Sequence, residues 1–181
     1  MTNEFPIDGR VEPRFAPVRE AFAANFDDGA ELGAAFSVFH EGRCVVDLVG
    51  GWADRERTRA WSGETIACIY SVGKLVVALL AARAAGEGRL DYDAPVAALW
   101  PEFGAAGKDR ITIAEALSHQ AGLCGIAEPM PPETWLDRAA ILALIEPMAP
   151  LWPPGSRSGY HPQTIGFIAD EILRRATGRG V

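Results

Sequence analysis

The run "LGAAFSVFHEGRCVVDLVGGWAD" limits the fold more than any other stretch of the chain. Two β-rich segments, Ala34 to Phe39 and Cys44 to Val49, flank the turn residues His40, Glu41, Gly42 and Arg43, a pattern that predicts a β-hairpin. Two strands alone do not make a stable sheet in water. A hairpin this apolar needs packing on at least one face and pairing at its edges, so something else has to complete it.

Most of the remaining chain reads as helix. Ahead of the hairpin, Phe15, Val18, Phe22 and Phe26 are spaced along one face of a helix over residues 14–26. A polar, arginine-rich connection, "DRERTRAWSGET", follows the hairpin. The apolar run Leu75 to Ala85 then predicts a helix stopped by Gly86, and Asp93 with Pro95 predicts entry into a short one before "WPEF". Thr112 and Glu115 have the spacing of a capping box. Further helices are expected over Glu133 to Ile145, ended by Pro147, and over Gln163 to Ala176, ended by Gly178. The fold class is therefore α+β, with strands around 34–50 and a helical region around 71–178, and no repeat or linker divides it.

Composition removes several function classes. A chain of 181 residues, 49% hydrophobic and 23% charged, can bury a core of its own. A formal charge of −7 with scattered arginines argues against nucleic acid as a partner. The start, "MTNEFPIDGRVEPRF", has acidic residues and prolines where an export signal needs a basic patch and an apolar run. The apolar window Leu75 to Ala85 falls well short of the about 20 residues that cross a bilayer, so no membrane is expected. Cys44, Cys68 and Cys124 are odd in number and far apart, which suits reduced thiols and a cytoplasmic location. His40, His119 and His161 lack metal-ligand spacing, so neither a metal nor a cofactor is expected, and His119 in "LSHQAGL" reads as a residue that orders a loop.

The chemistry concentrates in "ACIYSVGKLVVALL". Ser71 and Lys74 stand three apart at a helix head, hence on one face, and Lys74 is one of only two lysines among 17 lysine and arginine side chains. A serine hydroxyl is a weak nucleophile that needs a base beside it. A lysine can be that base when burial and the helix N-terminus lower its pKa, and the following "LVVALL" makes desolvation the expectation. The helix start also offers backbone N–H groups to an oxyanion. The motif alone leaves a second reading open, in which Ser71 caps the helix and Lys74 snorkels at the surface. No G-x-S-x-G elbow is present, which removes the α/β-hydrolase alternative.

The wider context resembles the serine β-lactamase-like superfamily, which includes class C β-lactamases, D-alanyl-D-alanine peptidases and family VIII carboxylesterases. The matching pieces are "VVDLVGGWAD", "IYSVGKLVVALL", "GRLDYDAPVAALWPEF", "ITIAEALSHQAGL" and "WPPGSRSGYHPQTIGFIADEILRRATGR", in the family's order over almost the whole chain. The resemblance implies that Ser71 is the acylated nucleophile, Lys74 its proton-exchange partner, and Tyr160, in "SGYHPQT", the tyrosine of the Y-x-N element. Where that element carries asparagine this chain has Pro162, which offers no side-chain amide to a β-lactam. Ester cleavage through an acyl-serine is therefore expected; amide hydrolysis by a β-lactamase or peptidase, and an inactive homologue acting as a binding module, are the alternatives. His161 and Trp152 are candidate substrate contacts, with Trp135 a further candidate for the acyl pocket. The resemblance also implies that the 181 residues are the N-terminal part of a single β-lactamase-like domain, with the C-terminal strands and the third motif, K-T-G-like or W-x-G-like, absent. Expected partners are a small ester or β-lactam-like substrate and the missing C-terminal part, in the same or a second chain; a homo-oligomer is left open.

Overall fold

In the computed structural model, which describes residues 5–181, the hairpin forms and a third strand joins it. β1 (Ile7–Val11), β2 (Gly33–His40) and β3 (Arg43–Gly51) make an antiparallel sheet in the order β1-β3-β2. The strands run one or two residues beyond their predicted ends, so only Glu41 and Gly42 turn the hairpin, both at positive φ. The sequence did not announce β1, because "IDGRV" places an aspartate, a glycine and an arginine at its centre. Gly9 is required there: its φ is +109°, and a Cβ would lie 2.0 Å from the Asp47 carbonyl oxygen of β3.

The helix predicted over 14–26 appears as a short 3₁₀ turn, Pro13–Phe15, followed by α1 (Ala16–Ala24). Phe22 and Phe26 are buried together with Val45, Val46 and Leu48 of β3, so α1 covers the sheet on one side. Gly50 makes room for both rings, since a Cβ there would meet Phe22 at 2.8 Å. Contacts divide the chain after Cys68, so this sheet and α1 form one unit and Ile69–Val181 a second.

The second unit is helical: α2 (Gly73–Gly86), α3 (Val96–Leu99), α4 (Ile113–Leu117), α5 (Arg138–Ile145) and α6 (Thr164–Thr177). Its local signals are those read in the sequence. Thr112 Oγ1 accepts the Glu115 N–H at 3.1 Å while Glu115 Oε2 accepts the Thr112 N–H at 2.9 Å, which closes the capping box of α4. Gly178, at φ +81°, ends α6. One helix differs: the segment predicted as continuous over Glu133 to Ile145 is a 3₁₀ turn, Pro132–Leu136, and then α5. Asp137 separates them, because its extended backbone lets its carboxylate cap the Ala140 N–H at 3.1 Å. α6 lies against α2, α3, α4 and α5 and buries Ile168 and Ile172 among Val96, Trp100, Ile113, Leu123 and Ile141. Arg138 ties α5 to α6 through Asp170 and Glu171. No helix among the described residues is long and apolar enough to cross a membrane.

The second lysine, Lys108, is fully buried in this unit. Its ammonium donates to the carbonyls of Ala105 and Glu146, each at 2.8 Å, and of Met148 at 2.5 Å, so it gathers the end of α5 where a cation is favourable. Burial pushes its pKa down, against the pull of Glu146. Replacing Lys108 with methionine keeps the length but leaves three carbonyls without their donor. A loss of about 2–4 kcal/mol is expected in urea unfolding; an unchanged midpoint would contradict this role.

Candidate active site

Ser71 lies in a 3₁₀ turn, Tyr70–Val72, that leads directly into α2. The N-cap of α2 is Val72, with no side-chain cap, so the Ser71 hydroxyl is not spent on capping. Tyr70 sits at φ +44°, a left-handed conformation uncommon for an aromatic residue, immediately before the serine. Lys74 follows one turn later on the same face and donates to Ser71 Oγ at 3.2 Å. Its ammonium also donates to the carbonyl of Pro162 at 2.9 Å.

Tyr160 reaches the serine from the other end of the unit. Its Oη lies 2.6 Å from Ser71 Oγ, and the Lys74 ammonium stands 5.0 Å from its ring centroid. The hydrogen bond with Ser71, followed by the nearby Lys74, holds the phenol below its ordinary value. With Lys74 donating to Ser71 Oγ, the serine proton is free to point at Tyr160 Oη. The structure thus brings Ser71, Lys74 and Tyr160 together on an open surface: Ser71 is exposed and Tyr160 is 54% exposed.

The desolvation expected for Lys74 is not supplied by its neighbours. Leu75, Val76 and Leu79 point outward from α2, at 62%, 47% and 63% exposure, and Lys74 itself is half-buried.

His161 and Trp152 lie beside this group rather than on its open face. His161 is fully buried; its Nε2 accepts the Leu123 N–H at 2.8 Å and its Nδ1 meets the Gly159 carbonyl at 2.5 Å, so both ring nitrogens are occupied within the protein. Trp152 donates through Nε1 to the Arg157 carbonyl at 3.1 Å and lies flush against Gly159, where a Cβ would come within 2.3 Å of the indole. Both side chains shape the loop that carries Tyr160. Trp135 packs against Phe167 of α6, with ring centroids 5.9 Å apart.

His119, after α4, is at φ +65° and holds the same loop twice. Its carbonyl accepts the Gly159 N–H at 3.0 Å and its Nδ1 accepts the His161 N–H at 3.1 Å. Two features carried no sequence signal: the Pro162 carbonyl on Lys74, because any residue has a carbonyl, and the strained Tyr70.

An antiparallel sheet and a helical unit in which Ser71 shares hydrogen bonds with Lys74 and Tyr160 are both parts of the β-lactamase-like fold. The profile of the Beta-lactamase family matches residues 18–181, and the chain belongs to that family. It is 36% identical over 175 residues to the Esterase/beta-lactamase LipL of Mycobacterium tuberculosis, covering 96% of this chain and 40% of that protein. Esterase EstB of Burkholderia gladioli is 34% identical over 96 residues, 51% of this chain and 24% of the esterase. Among solved structures, a penicillin-binding protein homologue from Caulobacter crescentus superposes with a TM-score of 0.94 at 52% identity, over 97% of this chain and 47% of that one. A family VIII carboxylesterase superposes at 0.92 with 46% identity, over 96% and 47%. The chain therefore spans less than half the length of these relatives, and its family is one of hydrolases.

The electrostatics can be checked on the phenol. Tyr160 is expected to ionise below the ordinary phenol value in an ultraviolet difference titration against Tyr160→Phe, and Lys74→Met should move it upward, since the nearby cation stabilises the phenolate. A titration unaffected by Lys74→Met would contradict the pairing.

Proposed function

We propose that this chain carries the nucleophile of a serine hydrolase that cleaves carboxylic esters through an acyl-serine intermediate. The observation that carries the reading is the shared hydroxyl: Ser71 Oγ accepts from Lys74 and lies 2.6 Å from Tyr160 Oη, within a family of hydrolases. Ser71 Oγ attacks the acyl carbonyl carbon and its proton passes to Tyr160 Oη, whose lowered pKa favours the phenolate that receives it. Tyr160 then gives that proton to the departing alkoxide, and water attacks the acyl-serine to release the acid. Lys74 donates to Ser71 Oγ and is held in place by the Pro162 carbonyl.

Pro162 favours an ester over a β-lactam, because the position has no amide to bind one. The names of the relatives support both activities, one being an Esterase/beta-lactamase and another an esterase, so β-lactam hydrolysis is the second reading. The remainder of the enzyme, in the same chain or a second one, covers the outward apolar face of α2 and closes the open side of the site, completing one domain. Val72, Leu75 and Leu79, each more than 60% exposed here, support that cover. The three unpaired cysteines support a cytoplasmic protein.

A chromogenic ester and a chromogenic cephalosporin, given side by side to the full-length protein, test the reading. Ester turnover is expected to exceed cephalosporin turnover, to fall at least about 10⁴-fold in Ser71→Ala and about 10²–10⁴-fold in Tyr160→Phe. Turnover that survives Ser71→Ala would overturn the mechanism. No turnover of either substrate would favour a binding module.

A further inference from the structure

We propose that His119 is the positioning residue that holds Tyr160 on Ser71, and that it does so only while its ring is unprotonated. The inference deepens the reading of the site given above and rests on it for its catalytic consequence.

Tyr160 is bracketed by two backbone N–H groups, of Gly159 and His161, and a single residue accepts both: the carbonyl of His119 takes the first at 3.0 Å and its Nδ1 takes the second at 3.1 Å. The imidazole also lies against the phenol, with centroids 5.0 Å apart at 56°. Backbone on both sides of Tyr160 and its ring are thus held by one residue, through its carbonyl and its imidazole, while the Tyr160 Oη stays exposed to meet Ser71. A displacement of about 1 Å in a reacting group can cost about 100-fold in rate, so this bracket bears directly on the proton transfer.

The Nδ1 contact fixes the tautomer. An N–H donates to Nδ1, so the ring proton of neutral His119 resides on Nε2. A second proton would have to enter at Nδ1, facing the His161 N–H donor against donor. The charged and titratable groups around the ring are Lys74 from α2 and Tyr160 and His161 from the loop. Beside His119, a cavity of about 90 Å³ is otherwise lined by Val77 and Ala78 of α2, Leu117 of α4, and Ile165 and Gly166 of α6, with Lys74 its only charged member. Burial, and then the Lys74 charge, push the His119 pKa below the ordinary imidazole value. The sign follows: the acceptor is intact at neutral pH and is lost as pH falls through the depressed value, below about 6.5.

Asparagine separates the roles, because its Oδ1 can accept where Nδ1 does, cannot be protonated, and tolerates the left-handed backbone at position 119. Phenylalanine keeps the ring and removes the acceptor. The full-length protein is assayed as wild type, His119→Asn and His119→Phe, by kcat/KM against pH on a p-nitrophenyl ester and by ultraviolet titration of Tyr160. Wild type is expected to show an acid limb below about pH 6.5 that is absent in His119→Asn, whose plateau stays close to wild type. His119→Phe should lose about 100-fold in kcat at pH 7.5 with little change in KM, and its Tyr160 phenol should titrate higher. An acid limb that persists unchanged in His119→Asn would overturn the inference by assigning it to another group, His161 first; this arm stands even if the phenylalanine variant does not fold. If wild type cleaves no ester, the proposed function fails separately, and the phenol titration alone decides: a shift in His119→Phe but not in His119→Asn upholds the bracket, and identical titrations overturn it.

Discussion

Ser71 and Tyr160 are 89 positions apart, yet their oxygens meet at 2.6 Å, and this contact makes the greatest demand on the helical unit. A hydrogen bond of this kind contributes only about 1 kcal/mol net, far less than the entropy of ordering two distant segments. The backbones must therefore be fixed by other means. α2 is fixed by Ala81 and Ala84, which are buried against the core around α6. The loop before α6 is fixed by a chain of partners: His119 on Gly159 and His161, the His161 ring on Leu123, and Thr164 Oγ1 donating to the Leu123 carbonyl at 2.6 Å. Lys108 gathers the backbone at the end of α5, where this loop begins. Lys74 then joins both sides, reaching Ser71 and Pro162 with one ammonium.

That arrangement explains which parts of the molecule were legible in the sequence. Signals that act within a turn were readable: the capping box of Thr112 and Glu115, the Gly178 stop, the hairpin and the spacing of Ser71 and Lys74. Features created by distant backbone were not. β1 is a strand because Gly9 lets Asp47 approach, not because "IDGRV" has strand character. Asp137 breaks a run of helical periodicity because its carboxylate binds Ala140. The Lys108 sequence context gives no hint of burial, and it is buried because three carbonyls converge on it.

The candidate site divides in the same way. Ser71 and Lys74 stood out by their spacing, the resemblance to β-lactamase-like enzymes added Tyr160, and the structure puts the three in mutual reach. His161, chosen for standing beside the tyrosine, and Trp152, chosen as a wall of the acyl pocket, both brace the tyrosine loop, His161 from the core and Trp152 from a half-buried position against Gly159. The expected desolvation of Lys74 failed because periodicity identifies an apolar helix without saying which of its faces this stretch of chain can cover. Leu75 and Leu79 face outward, in keeping with a chain that spans 40–47% of its longer relatives. Proximity of the lysine to two oxygens, rather than its burial, is what the described residues supply.

The central claim is that Ser71 is the activated nucleophile. The most direct measurement is reaction of the full-length protein with a fluorophosphonate, followed by intact mass and peptide mapping. One adduct is expected, on the peptide containing Ser71, formed far more slowly when Lys74 is replaced by methionine. A stoichiometric adduct on any other serine, or labelling of Ser71 at the same rate without Lys74, would contradict it.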